Sequence, residues 1–228
     1  TGEGHAPSVI TEHDQGLTPQ SYAALDCPDW LGPLLQDSLG ADFEAVLHAL
    51  RHRAPVFLRV NTARCSRDQA IAALAAEAIV AVPHPLAQTA LEVTENARKI
   101  QNSQTYLQGL VELQDAASQA VVAEIPLRAG QRVLDHCAGG GGKTLALATQ
   151  PGLALFAHDS EPRRMRDLPD RAKRAGVKVN ITENPEDSAP YDVILTDVPC
   201  SGSGSWRRDP QGKWALTEPD LTRLCQIQ

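Results

Sequence analysis

The chain has 228 residues, of which 42% are hydrophobic, and a formal net charge of −7 at pH 7. This length can bury a substantial core and suggests one large domain or two small ones. The negative charge argues against a protein that coats nucleic acid. We expect a cytoplasmic protein without a membrane partner, because the sequence has neither an apolar run of ~18 residues nor a basic leader followed by an apolar stretch.

Cysteine and histidine spacing argues against a metal site. The five cysteines are odd in number, widely spaced and without a C-x-x-C pair, which favours reduced thiols over a disulfide framework or a zinc site. His48 and His52 lie four residues apart on a predicted helix. No acid or third ligand accompanies them at a useful spacing, so we expect exposed helix residues and no bound metal.

The first half of the chain is predicted to be a small α+β domain. Residues 1–20 are polar and interrupted by glycine and proline, which predicts a loosely ordered arm. Residues 21–112 then form the predicted α+β domain, in which Ser66 and Gln69 are spaced as a helix capping box. Apolar residues have a helical spacing over 21–53, and the pattern further predicts a helix over 66–79 and strands over 56–61, 79–82 and 91–93.

Beyond residue 112, helices and apolar strands alternate. This pattern predicts a doubly wound, mainly parallel sheet over 113–228. The predicted elements are helices over 117–125, from Lys143 and over 161–175, and strands over 132–136, 153–158, 177–182 and 191–197. Ligands of such sheets bind at the carboxyl ends of the strands. Residues 135–143, Asp159 and residues 197–204 fall at these ends.

A glycine-rich loop, VLDHCAGGGGKT at 133–144, follows the first of these strands. The Walker pattern fails because Cys137 stands where its first glycine is needed, and a dinucleotide G-x-G-x-x-G fails at Thr144. Four consecutive glycines lose much conformational entropy on folding, and a turn that binds no ligand would not require them. The remaining prediction is a nucleoside or S-adenosylmethionine loop, with Asp159 as the ribose-binding acid about 20 residues further on. These residues alone leave both hydride and methyl transfer open.

A second motif, DVPCSGSGSWRRDPQGKW at 197–214, narrows the choice. Together with the glycine loop it resembles the Sun family of RNA cytosine-5 methyltransferases, most closely the ribosomal small-subunit methyltransferase B branch. That family has a cysteine-alanine-(two residues)-glycine-glycine-lysine-threonine loop. It also has an aspartate-x-proline-cysteine-serine motif, followed by two arginines, a proline and a lysine-tryptophan pair. LRVNT at 58–62 and LQDAASQ at 113–119 match as well.

The resemblance implies a Rossmann-like methyltransferase sheet preceded by an RNA-recognition-like domain, with S-adenosylmethionine as cofactor. It favours ribosomal RNA as the partner, with transfer RNA as the alternative. The implied cofactor-binding residues are Cys137, Ala138, Gly139, Gly140, Gly141, Gly142, Lys143, Asp159, Asn184 and Asp197. The implied RNA-binding residues are Trp206, Arg207, Arg208 and Lys213.

The resemblance also implies a mechanism that yields 5-methylcytosine. In the family a cysteine thiolate adds to carbon 6 of cytosine, which makes carbon 5 nucleophilic enough to accept a methyl group. A second cysteine assists release of the product, and Cys200 matches it. Asp197 would stabilise charge on the ring, and Lys143 would order the active site.

The sequence departs from the family at three points. Gly140 stands where the family has proline, and Asn184 stands where an acid often lies near the adenine. The threonine-cysteine-serine motif of the family nucleophile does not occur in the 228 residues, and Cys225 lies in a predicted helix without it. We therefore expect a fragment of a full enzyme. The alternatives are a catalytically incomplete module that binds RNA and cofactor, and a P-loop-like NTP-binding protein.

Overall fold

The computed structural model describes residues 21–228, which fold into two compact units. One unit combines residues 21–54 with 199–228, and the other is Pro55–Val198. The predicted arm at 1–20 lies outside the described residues. Both sheets of the described residues lie within the second unit, so the division into units does not separate them at residue 112. The domain boundary at residue 112 stays a prediction.

The described chain contains short helices and strands, numbered here in chain order. The helices are α1 (Gly32–Leu39), α2 (Phe43–Leu50), α3 (Arg67–Ala76), α4 (Gln104–Leu107), α5 (Ala116–Ala123), α6 (Gly142–Leu147), α7 (Leu168–Ala175), α8 (Pro210–Ala215) and α9 (Glu218–Ile227). The strands are β1 (Val56–Val60), β2 (Val80–Pro83), β3 (Ala90–Glu95), β4 (Val111–Leu113), β5 (Arg132–Asp135), β6 (Ala154–Ala157), β7 (Asn180–Ile181) and β8 (Val193–Leu195). No helix within residues 21–228 is long and apolar enough to cross a membrane.

The first unit has its own apolar core. Cys27, Leu31, Phe43, Leu47 and Trp206 pack together there and are almost completely buried. The core therefore joins the helical segment that contains α1 and α2 to the segment that leads into α8.

In the second unit, strands β1 to β4 form an antiparallel sheet in the order β2-β3-β1-β4. The capping box that opens α3 is present: Gln69 N donates to Ser66 Oγ at 3.2 Å, and Ser66 N donates to Gln69 Oε1 at 2.8 Å. Leu58 and Val60 of β1 lie in the core of this sheet. Since side chains alternate along a strand, Arg59 between them points the opposite way.

Strands β5 to β8 form a parallel sheet in the order β7-β6-β5-β8. The predicted α/β fold with a preceding α+β sheet is confirmed. The predicted helix over 161–175 is instead a 3-10 turn, Pro162–Met165, followed by α7, because Pro169 favours the first turn of a new helix. The predicted strand over 177–182 pairs only at Asn180–Ile181, and β4 was not predicted.

Candidate functional site

The candidate site lies at the carboxyl ends of β5, β6 and β8. Asp135 is the last residue of β5, Asp159 follows β6 by two residues, and Asp197 follows β8 by two residues. All three strands are parallel, so these carboxylates come to one edge of the sheet. The glycine loop that connects β5 to α6 lies at the same edge.

The glycine loop needs glycine for reasons of conformation and packing. Gly139 and Gly141 have φ angles of 50° and 78°, in the left-handed region. A Cβ atom on Gly141 would lie 2.2 Å from Cδ1 of Leu168, a completely buried side chain of α7. Any residue other than glycine at position 141 would therefore prevent the loop from approaching α7 this closely.

Asp159 is held directly against this loop. Its side chain is only 1% exposed, and Oδ2 accepts a hydrogen bond of 2.9 Å from Gly139 N. Oδ1 accepts from Glu161 N at 3.0 Å, and Arg164 Nη1 lies 3.4 Å from Oδ2. The structure thus brings Asp159 and the loop together, as the sequence predicts. The binding of ribose by Asp159 stays a prediction.

Asp135 is a further site residue, to which the sequence pattern assigned no role. Its Oδ2 accepts a hydrogen bond of 2.7 Å from the Thr144 hydroxyl, while the buried Oδ1 has no partner among the described residues. Burial is the main cause that raises the pKa of Asp135, and the nearby Asp197 carboxylate adds to it. A buried acceptor without a donor is costly, so Asp135 is ready to accept a hydrogen bond from a ligand.

Lys143 and Asp197 form an ion pair beside Asp135. Lys143 Nζ lies 2.5 Å from Asp197 Oδ2, and the two side chains are 20% and 53% exposed. Lys143 also opposes the rise in the pKa of Asp135. The Lys143 ammonium is therefore directed to carboxylates, which fixes the position of the Asp197 side chain at the edge of the sheet.

The remaining predicted cofactor residues differ in placement. Cys137 is half-buried, and burial raises the pKa of its thiol, an effect that the Asp159 and Asp135 carboxylates reinforce. The thiol is consequently neutral and unsuited to nucleophilic attack. Ala138 is buried and donates its backbone N–H to the His158 carbonyl at 2.9 Å. Asn184 is exposed, beyond the end of β7.

Two arginines hold the carbonyl groups of the glycine loop. Arg59 is 4% exposed, and its Nη1 donates to the Gly142 carbonyl at 2.8 Å and to Gln114 Oε1. Burial lowers the pKa of Arg59 to about 10, so its side chain is charged at neutral pH. Arg171 of α7 donates to the Gly140 carbonyl. The charged Arg59 in the otherwise apolar strand VFLRV was the sequence signal for this role.

Glu112 of β4 anchors the second of these arginines. Its Oε1 lies 3.5 Å from Arg171 Nη2, and its Oε2 lies 2.7 Å from Arg174 Nη2. The Glu112 side chain is only 8% exposed, so the pairing takes place largely out of water. The antiparallel sheet therefore contacts the glycine loop directly through Arg59 and indirectly through Glu112.

Two of the residues predicted to bind RNA are buried. Trp206 is 4% exposed in the core of the first unit, and Lys213 is 1% exposed with its Nζ 3.0 Å from Asp26 Oδ2. Neither side chain can stack on a base or pair with a phosphate in this arrangement. For these two residues the expected RNA contact is corrected: the indole fills an apolar core, and the ammonium neutralises a carboxylate.

The other two predicted RNA-binding residues reach the surface. Arg207 is half-buried and donates from Nε to the His52 carbonyl at 3.1 Å, and Arg208 is exposed. Cys200, three residues after Asp197 in the sequence, is an exposed free cysteine. Among residues 21–228 no group of three or more His, Cys, Asp or Glu side chains could hold a metal ion.

A parallel sheet with a glycine loop after one strand and an acid after the next defines an α/β protein of the nucleoside-binding type. Two family models match the chain: an RsmF/B-like ferredoxin-like domain over residues 27–101, and the 16S rRNA methyltransferase RsmB/F over residues 122–228. Together they match most of the described chain. The protein belongs to this RsmB/F branch of the Sun family.

Individual relatives agree with this assignment. Ribosomal RNA small subunit methyltransferase B of Citrobacter koseri is 32% identical over an alignment of 209 residues, and the match covers 88% of this chain and 49% of that protein. The chain thus spans about half the length of the curated relatives it matches.

Two solved structures share the fold. A methyltransferase homolog from Pyrococcus horikoshii has a TM-score of 0.75 at 24% identity, covering 90% of this chain and 67% of its own. NSun6 from the same organism, solved with SFG, has a TM-score of 0.74 at 16% identity, covering 88% and 77%.

Proposed function

We propose that this chain is part of an S-adenosylmethionine-dependent RNA methyltransferase that makes 5-methylcytosine in ribosomal RNA. The observation that carries the proposal is the contact between Asp159 and Gly139 N, which joins the expected ribose-binding acid to the glycine loop. Membership of the RsmB/F family supports the reaction class and the substrate. The structural neighbour solved with SFG, an analogue of S-adenosylmethionine, is in keeping with the cofactor.

The charge of the site favours a cationic nucleoside over a nucleoside triphosphate. Three carboxylates, Asp135, Asp159 and Asp197, lie at this edge of the sheet, and Lys143 is already paired with one of them. A triphosphate would be repelled by this arrangement, whereas S-adenosylmethionine carries a sulfonium and an ammonium group. This argues against the P-loop-like alternative.

The residues present fit the cofactor. Asp135 Oδ1 is a buried acceptor that lacks a donor, and the ammonium and hydroxyl groups of S-adenosylmethionine are donors. Asp159 retains acceptor capacity for ribose hydroxyls beyond the two backbone N–H groups that it already binds. Residues 137–142 would supply a backbone that the ligand can approach closely, and Asn184 would contact the adenine.

The bound cofactor would supply an electrophilic methyl group. Lys143 holds Asp197, so this carboxylate can be fixed next to the target cytosine, where it would stabilise charge on the ring. Cys200 follows in the proline-cysteine-serine motif and would assist release of the methylated base. The neutral, half-buried Cys137 has no covalent role in this scheme.

A second candidate is a module that binds cofactor and RNA without completing the reaction. In the Sun family the nucleophilic thiolate of the reaction belongs to a threonine-cysteine-serine motif. The two candidates differ at Cys200. In a chain extended to include that motif, Cys200→Ala should accumulate a covalent protein–RNA adduct on a denaturing gel. Cys225→Ala is the control, since Cys225 is also exposed. Normal turnover of Cys200→Ala without an adduct would show that Cys200 has no part in release.

The cofactor assignment can be tested by photolabelling this chain with S-adenosylmethionine that carries a tritiated methyl group. Label should be displaced by S-adenosylhomocysteine and not by ATP. Asp159→Ala should lose most of the label, while Asp187→Ala, at an exposed position, should keep it. Displacement by ATP, or equal labelling of the two variants, would argue against the proposed site.

A further inference from the structure

The first unit contains a cleft lined with cationic side chains. Arg51, His52 and Arg53 follow the end of α2 and are exposed, and Arg207 and Arg208 line the same cleft from the segment before α8. Four arginines thus meet in one concavity of a chain whose formal net charge is −7. Concave sites of one charge sign concentrate counter-ions, so this cleft is suited to a polyanion.

The two arginine-bearing segments are fixed to each other. Arg207 Nε donates a hydrogen bond of 3.1 Å to the carbonyl oxygen of His52. Next to Arg207, the buried Trp206 packs with Leu47 of α2 in the core of the unit. The cationic groups are therefore presented by a packed framework and not by independent loops.

The acidic residue that lines the cleft does not cancel this charge. Asp26 accepts hydrogen bonds from Lys213 Nζ at 3.0 Å and from Trp214 Nε1 at 2.9 Å. Burial is the largest single cause and raises the pKa of Asp26, but these two bonds and the charges of Lys213 and Arg51 together hold the pKa below its usual range. Because Lys213 is almost completely buried, it balances the Asp26 charge locally. The guanidinium groups of Arg51 and Arg53 are exposed and would face a ligand in the cleft.

We propose that this cleft binds the phosphodiester backbone of single-stranded RNA, and that Arg51 and Arg53 pair with phosphates there. The inference rests on the proposed function, which makes RNA the polyanion. A cytosine that is attacked at carbon 6 must be unstacked, which favours a single-stranded segment over a duplex. The planar guanidinium fork matches two phosphate oxygens at once, so arginine suits this role better than lysine.

The test is fluorescence anisotropy of a labelled single-stranded RNA over a series of salt concentrations. The double variant Arg51→Ser/Arg53→Ser should bind RNA at least tenfold more weakly. Loss of two phosphate contacts should reduce the slope of log K against log salt by about 1.4. The matched control is Arg163→Ser/Arg166→Ser, which removes two exposed arginines from the second unit and should leave the slope unchanged. Unchanged thermal unfolding of both variants would show that each is folded.

Other outcomes separate this proposal from the proposed function. An unchanged slope for Arg51→Ser/Arg53→Ser would overturn the cleft assignment, as would competition by poly-L-glutamate equal to that by RNA, since the cleft would then accept acidic polypeptides. Calorimetry with S-adenosylmethionine is run on the same samples. If S-adenosylmethionine binds but the arginine substitutions do not change RNA binding, the proposed function is retained and the RNA-binding role of the cleft is rejected. The reverse result retains the cleft and removes the methyltransferase assignment.

Discussion

Arg59 Nη1 donates a hydrogen bond of 2.8 Å to the carbonyl oxygen of Gly142, at the point where the glycine loop becomes α6. The arginine belongs to β1 of the antiparallel sheet, and the glycine belongs to the glycine loop that follows β5 of the parallel sheet. The guanidinium also donates to Gln114, so its orientation is set by two acceptors. The antiparallel sheet is therefore a structural support of the proposed cofactor site.

Replacing Arg59 with lysine should weaken cofactor binding although the charge is retained. Both hydrogen bonds come from the terminal Nη1 of Arg59, and an ammonium on the shorter lysine side chain would not reach the same position. The half-buried Gln114 amide oxygen would then lose its donor, at a cost of about 1–3 kcal/mol in the free energy of unfolding. The Gly142 carbonyl would keep its hydrogen bond of 3.1 Å from Gln114 Nε2. Urea unfolding and calorimetry with S-adenosylmethionine measure the two effects. Arg98→Lys, at an exposed position, is the control. Equal unfolding free energies and equal cofactor affinities of the two variants would show that Arg59 does not support the site.

Asp135→Asn should stabilise the ligand-free protein and weaken cofactor binding. The pKa of Asp135 is raised above its ordinary value of 3.8, mainly by burial. The stability that the protonated form contributes below pH 3.8 is therefore lost as pH rises through the raised pKa. The asparagine variant does not titrate, so its advantage in unfolding free energy should grow as pH rises from 3.8 to the raised pKa of Asp135 and then stay constant. Urea unfolding at several pH values measures it, and a difference independent of pH would contradict the assignment.

Gly141→Ala should disrupt the loop. The residue has a φ of 78°, and an added Cβ would meet the buried Leu168 at 2.2 Å. Strain of this kind costs about 1–3 kcal/mol, and the displaced loop should lose affinity for S-adenosylmethionine. Gly204→Ala is a suitable control, since the space around its Cβ position is open. Thermal unfolding compares the two, and an equally small effect at both positions would show that the loop tolerates side chains.

Much of the fold follows from local patterns in the sequence. The alternation of apolar strands with helices predicts the parallel sheet, and Ser66 with Gln69 predicts the start of α3. The three residues of β4 escape prediction because so short a segment has no periodicity of its own and is set by pairing with β1. The shortened β7 is likewise a consequence of tertiary pairing.

The candidate site could be predicted only in part. The glycine loop and Asp159 carry a local motif and a spacing, and the structure brings them together. A sequence motif does not show which of its side chains are buried, so the sequence does not predict that Trp206 and Lys213 point inward. The charged Arg59 in the apolar strand VFLRV indicates a polar partner, but the partner, Gly142, lies 83 positions away and no local pattern identifies it.

The central claim is that the glycine loop and Asp159 bind S-adenosylmethionine. The most direct measurement is calorimetric titration of this chain with S-adenosylmethionine and, separately, with magnesium-ATP. We expect saturable binding of S-adenosylmethionine, no binding of ATP, and affinity at least tenfold lower for Asp159→Ala, since a charge-assisted hydrogen bond contributes about 1.5–3 kcal/mol. Binding of ATP without S-adenosylmethionine, or an unchanged affinity of Asp159→Ala, would contradict the claim.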